Sequence, residues 1–184
     1  RRVPEARDIM RKRKVVEILE YLEGREIVGL MSQMLFKKAG SKYATQAWNP
    51  HQDNAYPQAA SGAYITINIF FEDADLGNGC MYIYSGSHKE GLLPFKPTIS
   101  FREAQGTNPG NTVDVPELYE KKDLIIKKGD MLILHGNVIH GSYPNVSLTR
   151  SRPLFSVSYI PKGEYFIPGK NANREEIPLR PLSG

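Results

Sequence analysis

The chain has 184 residues, 40% of them hydrophobic and 24% charged, a composition typical of a soluble globular protein. Its length suits one domain, which we place at residues 1–184, and no apolar run approaches the ~20 residues that span a bilayer. The single cysteine excludes an internal disulfide framework and a cysteine-rich zinc site, and it fits a reducing compartment, so we expect a cytoplasmic protein.

The amino-terminal stretch is basic and accounts for much of the net charge of +4. It begins Arg1-Arg2-Val3-Pro4, without an initiator Met or an apolar signal core, so we interpret the chain as lacking its native start. Basic residues between positions 7 and 14 fall on an expected surface helix. A solvated face is favoured there over nucleic-acid binding, because no aromatic residues alternate with the charges.

The first half of the chain predicts one helix followed by strands. Apolar residues at helical spacing predict a helix over residues 4–22, with Gly24 as its carboxyl-terminal cap. Residues 27–36 predict a strand. Residues 64–71 alternate, with Ile65, Ile67, Ile69 and Phe71 on an expected core face, and Tyr64, Thr66, Asn68 and Phe70 on a face that suits a ligand cavity.

The second half predicts further short strands at residues 80–84, 124–126, 131–135 and 155–160. Residues 91–116 are rich in Pro, Gly, Asn and Thr and predict a long functional loop. From residue 161 onward we expect a segment that wraps the surface. One helix and many short strands indicate a mainly β fold, either a barrel or a double-sheet jelly roll, with the helix packed on the sheet.

A candidate metal site starts from His51 and Asp53, which lie two residues apart. Residues at this spacing on an extended strand point to the same side, so both can reach one ion. The best candidate for a third ligand is His140. Two histidines and one carboxylate, with the other positions open, form the facial triad of non-heme Fe(II) oxygenases.

Four stretches in a fixed order resemble the phytanoyl-CoA dioxygenase family of Fe(II)/2-oxoglutarate oxygenases. They are MLFKK (34–38); HQD (51–53); NGC (78–80) leading to SGSHKEG (85–91); and GD (129–130) leading to HGS (140–142) and PN (144–145), then an arginine. The resemblance implies a double-stranded β-helix, a jelly-roll or cupin-like barrel. It also implies that His51, Asp53 and His140 bind Fe(II), and that 2-oxoglutarate and O2 are the co-substrates.

The resemblance further implies that an arginine beyond His140 pairs with the far carboxylate of 2-oxoglutarate. Arg150 and Arg152 compete for this role, and counting back from Tyr159 favours Arg152. A planar, permanently charged guanidinium offers two parallel donors to a carboxylate. Four other positions match the neighbourhood of the co-substrate: Ser142, Lys38, Asn68 and Gln52, the last expected to face the pocket between the two ligands.

Asp53 favours hydroxylation of a small-molecule substrate, or a related oxidation, with release of succinate and CO2; desaturation, epoxidation and ring formation share the same triad. Related halogenases carry Gly or Ala at this position, which opens a site for chloride. One alternative is a cupin-like, non-redox metal enzyme or binding module, because the same ligands could hold zinc or manganese. Another is a nucleic-acid demethylase, suggested only by the basic charge balance.

Overall fold

The structure is a computed structural model, and it describes residues 3–42, 44–98, 110–169 and 174–180. Two helices precede the strands, α1 (Pro4–Met10) and α2 (Arg13–Glu23), where the sequence predicted one. The ladder of helical hydrogen bonds breaks at Lys12, whose ψ of 116° is extended. Gly24 ends α2 in the left-handed conformation, with φ of 66°, as expected of a glycine cap. None of the described helices is long and apolar enough to cross a membrane.

Within the described residues, ten strands, numbered in chain order, follow the helices. They are β1 (Ile27–Lys37), β2 (Trp48–His51), β3 (Ile65–Phe70), β4 (Met81–Tyr84), β5 (Phe95–Pro97), β6 (Asn111–Val113), β7 (Lys121–Leu124), β8 (Met131–His135), β9 (His140–Ser142) and β10 (Arg152–Pro161). One antiparallel sheet has the order β1-β10-β3-β8, and a second has the order β2-β9-β4-β7. Strands β5 and β6 form a small hairpin within the predicted loop 91–116, of which residues 99–109 lie outside the described ranges.

The two four-stranded sheets enclose a cavity, because residues of β1, β3 and β10 line it together with residues of β2, β4 and β9. The mainly β architecture predicted from the sequence is confirmed, and two facing antiparallel sheets are what a jelly roll requires.

Strand β3 divides its side chains between the cavity and the core. Tyr64, just before the strand, and Thr66 and Asn68 within it line the cavity. Ile65 and Ile67 are buried in the core cluster under the helices, which Ile69 also contacts. The alternation predicted for residues 64–69 is therefore confirmed. It fails at the end of the strand, where Phe70 is fully buried in a second core cluster and Phe71 is 39% exposed.

The carboxyl-terminal segment, which we expected to wrap the surface, is partly built into the fold. Ile177 exchanges two backbone hydrogen bonds with Gly29 of β1, at 3.0 and 2.8 Å. Leu179 is buried in the same core cluster as Met10 and Tyr159. Most described residues after 161 are exposed or half-buried, as expected of a surface segment. The docking of Ile177 and Leu179 was not predicted, because the few apolar residues of this segment show no period that distinguishes docking from a solvated tail.

Candidate metal centre

Strand pairing brings the two predicted histidine ligands together. His51 is the last residue of β2 and His140 the first of β9, and the antiparallel register places them directly opposite each other. Their ring centroids are 4.3 Å apart. Asp53 follows in a short 3-10 turn, and the residue between, Gln52, has an extended backbone with φ of −115° and ψ of 127°. This conformation turns Asp53 toward the same side as His51.

Backbone carbonyls fix which nitrogen of each imidazole faces the centre. Nδ1 of His51 lies 2.7 Å from the carbonyl oxygen of Asn49, and Nδ1 of His140 lies 3.0 Å from that of Val138. A carbonyl oxygen can only accept, so each Nδ1 carries the proton and each Nε2 presents a lone pair. This arrangement is typical of metal-binding histidines.

Asp53 completes the set of donors. Its Oδ1 is 3.6 Å from Nε2 of His51 and 3.6 Å from Nε2 of His140, while its Oδ2 accepts a 2.9 Å hydrogen bond from Thr66. Burial alone raises the pKa of Asp53, but both histidines and the Thr66 hydroxyl outweigh it and hold the pKa well below its usual range. Asp53 therefore presents a carboxylate to the centre.

The three donor atoms lie within 4.8 Å of one another, so one metal ion could be held by all three residues. Two imidazole nitrogens and one carboxylate oxygen suit a first-row transition metal and leave positions open for other ligands. Burial also lowers the pKa of His140, and the neighbouring imidazole of His51 lowers it further. Both effects favour the neutral ring that a metal needs.

A cavity of about 380 Å³ opens in front of the triad. Arg152 lines it, is 3% exposed, and donates from Nε to the carbonyl oxygen of Gly79 at 3.2 Å. Arg150, the competing arginine, does not line the cavity; it is half exposed and forms a two-pronged ion pair with Asp75 at 2.6 and 2.9 Å. The structure thus places only Arg152 of the two where it could contact a ligand of the metal.

The buried lysine of the MLFKK stretch is Lys37, not Lys38. Lys38 is exposed and does not line the cavity. Lys37 is 2% exposed, and its Nζ donates to the carbonyl oxygens of Gln46 and Tyr143 and to Oγ of Ser142. Burial, and then the charge of Arg152, lower the pKa of Lys37 to about 7. This corrects the predicted position by one residue, which in a strand means the opposite face.

The remaining predicted positions divide into two that line the cavity and one that does not. Ser142 and Asn68 are buried and line it. Gln52 is fully buried but points away, because its amide donates to the carbonyl oxygens of Gly91 and Asn137 and accepts from the Leu93 backbone N–H. The expectation that Gln52 faces the pocket is corrected: it ties two loops together behind the triad.

Several lining residues were not assigned to the site from the sequence, among them Thr66, Trp48, Tyr56 and Arg174. Thr66 lies on the face of β3 that the alternation assigned to a cavity, so the sequence pattern could have identified it as a site residue. Trp48 lies three residues before His51. Arg174 belongs to the carboxyl-terminal segment, and no local pattern distinguishes it from a surface arginine.

The family model for phytanoyl-CoA dioxygenase matches residues 1–153. Among solved structures, the chain is similar to the non-heme alpha-ketoglutarate-dependent epimerase SnoN from nogalamycin biosynthesis, in complex with Fe3+, alpha-ketoglutarate and nogalamycin RO. The TM-score is 0.68 at 22% identity, over 97% of this chain and 70% of that one. The carbocyclase SnoK from the same biosynthesis also gives a TM-score of 0.68, at 19% identity, over 91% of this chain and 64% of that one. These likenesses show the fold.

Curated relatives give the sequence relationship. A phytanoyl-CoA dioxygenase of Arabidopsis thaliana is 33% identical over 165 residues, which are 85% of this chain and 53% of the relative. The peroxisomal phytanoyl-CoA dioxygenase of Homo sapiens is 27% identical over 94% of this chain and 52% of its own length. The chain thus spans about half the length of the curated relatives it matches. With the family model covering residues 1–153 of 184, the chain belongs to the phytanoyl-CoA dioxygenase family.

Proposed function

We propose that the chain is the catalytic part of an Fe(II)/2-oxoglutarate-dependent dioxygenase that hydroxylates a small molecule. The observation that carries the proposal is the meeting of His51, Asp53 and His140 at a cavity that also contains the buried guanidinium of Arg152. A metal triad alone suits many chemistries. A triad that shares its cavity with a buried cation suits a metal-bound ligand carrying a negative charge.

The two imidazoles and the carboxylate would hold the iron. Fe(II) with 2-oxoglutarate supplies the oxidising chemistry by activating O2 at open coordination positions. Related proteins support the choice of cofactor: the epimerase SnoN was crystallised with Fe3+ and alpha-ketoglutarate. A Stutzerimonas stutzeri relative, 26% identical over 144 residues, is described as a probable alpha-ketoglutarate-dependent hypophosphite dioxygenase.

Arg152 would bind the far carboxylate of 2-oxoglutarate. Its burial strengthens the attraction, because a charge pair that is removed from water interacts more strongly than an exposed one. Ser142 lines the same cavity and already accepts a hydrogen bond from Lys37 at 2.9 Å, so its own hydroxyl hydrogen is available to an anion. The site therefore offers a guanidinium and a hydroxyl to one carboxylate.

Hydroxylation is the reaction that Asp53 favours, since its carboxylate occupies the position that related halogenases leave open. Structural neighbours with this fold include an epimerase and a carbocyclase. Asp53 therefore argues against halogenation, and hydroxylation is our choice among the reactions that share this triad.

The test is to add Fe(II) and 2-oxoglutarate to the protein without oxygen. We expect a weak visible charge-transfer band, and we expect His51→Ala to abolish it. A folded wild-type protein that binds metal but develops no band with 2-oxoglutarate would contradict the proposal and favour a non-redox metal enzyme. Succinate release, screened against acyl thioesters, amino acids and lipophilic metabolites, would then identify the substrate class.

A further inference from the structure

A second buried arginine, Arg174, lines the same cavity. It lies in the carboxyl-terminal segment, which the bridge between Ile177 and Gly29 fastens to β1. It also lies beyond residue 153, where the match to the family model ends. The side chain is 9% exposed, so the protein has withdrawn a permanent positive charge from water.

The guanidinium of Arg174 is poorly satisfied by the protein. Its Nε is buried and has no hydrogen-bond partner among the described residues, and its Nη1 reaches the carbonyl oxygen of Pro168 only at 3.4 Å. No carboxylate of the described ranges lies within ion-pair distance of it. Burying a charged donor without an acceptor is costly, so such a group is expected to receive its acceptor from a ligand.

Arg174 and Arg152 act on different parts of the cavity. The charge of Arg152 contributes, after burial, to the lowered pKa of Lys37. The charge of Arg174 instead bears on two tyrosines: burial and then Asp53 raise the pKa of Tyr64 to about 12, and Arg174 opposes that rise. Arg174 likewise opposes the rise that burial causes in the pKa of Tyr56.

The two parts of the cavity lie at different levels along strand β10, where Lys37 pairs with Arg152. Tyr64 donates a 2.6 Å hydrogen bond to Oγ of Ser158, and Ser158 lies six positions after Arg152 on the same extended strand. At about 3.3 Å per residue, that separation is roughly 20 Å.

We propose that Arg174 binds the acidic group, a carboxylate or a phosphate, of the small-molecule substrate. The inference rests on the proposed function, in which 2-oxoglutarate occupies the Arg152 end. The cavity is also lined by apolar and aromatic side chains, which suit a hydrocarbon segment: Met31, Trp48, Tyr56 and Met81. The substrate class is therefore a small organic acid, or a phosphate ester, with an apolar carbon chain.

The test uses the protein with Fe(II) and saturating 2-oxoglutarate under nitrogen, so that the Arg152 end is filled. The probes are hexanoate and hexyl phosphate, with hexanamide and hexan-1-ol as their uncharged counterparts. Dissociation constants come from calorimetry. Trp48 is the one tryptophan of the chain and lines the cavity, so its fluorescence reports whether a probe enters there.

We expect wild type to bind at least one acid more tightly than its neutral counterpart. Arg174→Met should raise the dissociation constant of that acid roughly 10- to 100-fold, the effect of removing one charged hydrogen bond, and should leave the neutral probe unchanged. Arg174→Lys should give an intermediate value. Arg180→Met is the matched control, because Arg180 lies in the same segment but pairs with Glu20 at the surface.

Tighter binding of hexanoate than of hexyl phosphate would identify the acidic group of the substrate as a carboxylate, and the reverse order would identify it as a phosphate. Equal binding of acids and neutral probes by wild type would overturn the inference, as would unchanged binding of the acids by Arg174→Met. If the 2-oxoglutarate band forms normally in that case, the proposed function stands and only the role of Arg174 fails. If Arg174→Met instead abolishes the band, Arg174 anchors the co-substrate and the inference is again wrong. If wild type gives no band at all, the proposed function fails first and the inference falls with it.

Discussion

The Thr66 hydroxyl donates a 2.9 Å hydrogen bond to Oδ2 of Asp53. The bond joins the central part of one sheet to the turn that follows β2 of the other. It leaves Oδ1 facing both imidazoles, so the carboxylate has one oxygen for the protein and one for a metal. A ligand whose orientation is fixed in this way loses little freedom on binding, which is how outer partners of metal ligands raise affinity.

Replacing Thr66 by Val should weaken metal binding roughly 10- to 100-fold, because the isosteric side chain no longer orients Asp53. Calorimetric titration of Mn(II) or Co(II) into the metal-free protein measures the effect. Thr45→Val is the control, since the Thr45 hydroxyl bonds the carbonyl oxygen of Lys42 at an exposed position. Unchanged affinity in the Thr66 variant would show that Asp53 needs no such support.

Arg152 and Arg150 should differ sharply when each is replaced by Met. We expect Arg152→Met to raise the dissociation constant of 2-oxoglutarate at least about 100-fold, because loss of a buried bidentate partner leaves the carboxylate desolvated and unpaired. Arg150→Met should leave that constant unchanged, since its guanidinium pairs with Asp75 outside the cavity. The charge-transfer band, titrated with 2-oxoglutarate at fixed Fe(II), measures both. Equal losses in the two variants would contradict this assignment.

Lys37 should make the stability of the metal-free protein depend on pH. Its pKa falls from 10.5 to about 7 on folding, so between those values the unfolded chain binds more protons than the folded one. The free energy of unfolding should therefore rise with pH across that interval. Urea unfolding at several pH values should show that the free energy of unfolding rises less steeply with pH in Lys37→Met than in wild type.

Lys38→Met is the control for this measurement, because Lys38 is the next residue and is exposed. It should keep the wild-type slope. The same slope in the Lys37 variant would mean that Lys37 keeps its proton in the folded state, held by its three oxygen partners.

Leu179 should contribute to stability although it lies near the end of the chain. Leu179→Ala removes a side chain that is 7% exposed in the core cluster, and we expect a loss of about 2–4 kcal/mol. Leu148→Ala, at a position that is 84% exposed, should cost little. Denaturant unfolding of both variants decides whether the segment docks in solution, and equal stabilities would contradict the docking described above.

The sequence predicted well those parts of the fold in which buried and exposed residues alternate regularly along the chain. Strand β8 was expected at the residues where it lies, and the two faces of β3 were assigned correctly from Tyr64 to Ile69. The triad was found because the spacing of His51 and Asp53 is local. Its third member, His140, lies outside the strands predicted from the sequence, and the pairing of β2 with β9 brings it to the other two.

Strand β1 shows why the lysine was misplaced. Met31, Gln33 and Leu35 line the cavity, so Lys37 continues the inward row. The outward row contains Met34 and Phe36, which are 54% and 45% exposed. Hydrophobicity alone therefore assigns the wrong face of this strand to the interior. The buried row can be identified only when the second sheet is known to cover it. The burial of Arg174 likewise depends on the tertiary fold.

The pairing of His51 with His140 joins positions nearly half the chain apart. The binding pocket for an ion consequently exists only when β2 and β9 have found each other, and an unfolded chain offers nothing comparable. Any ion that occupies the pocket must then shift the folding equilibrium toward the native sheet by mass action. Thermal melting midpoints that climb with metal concentration would register this coupling, and a chelator should reverse the climb.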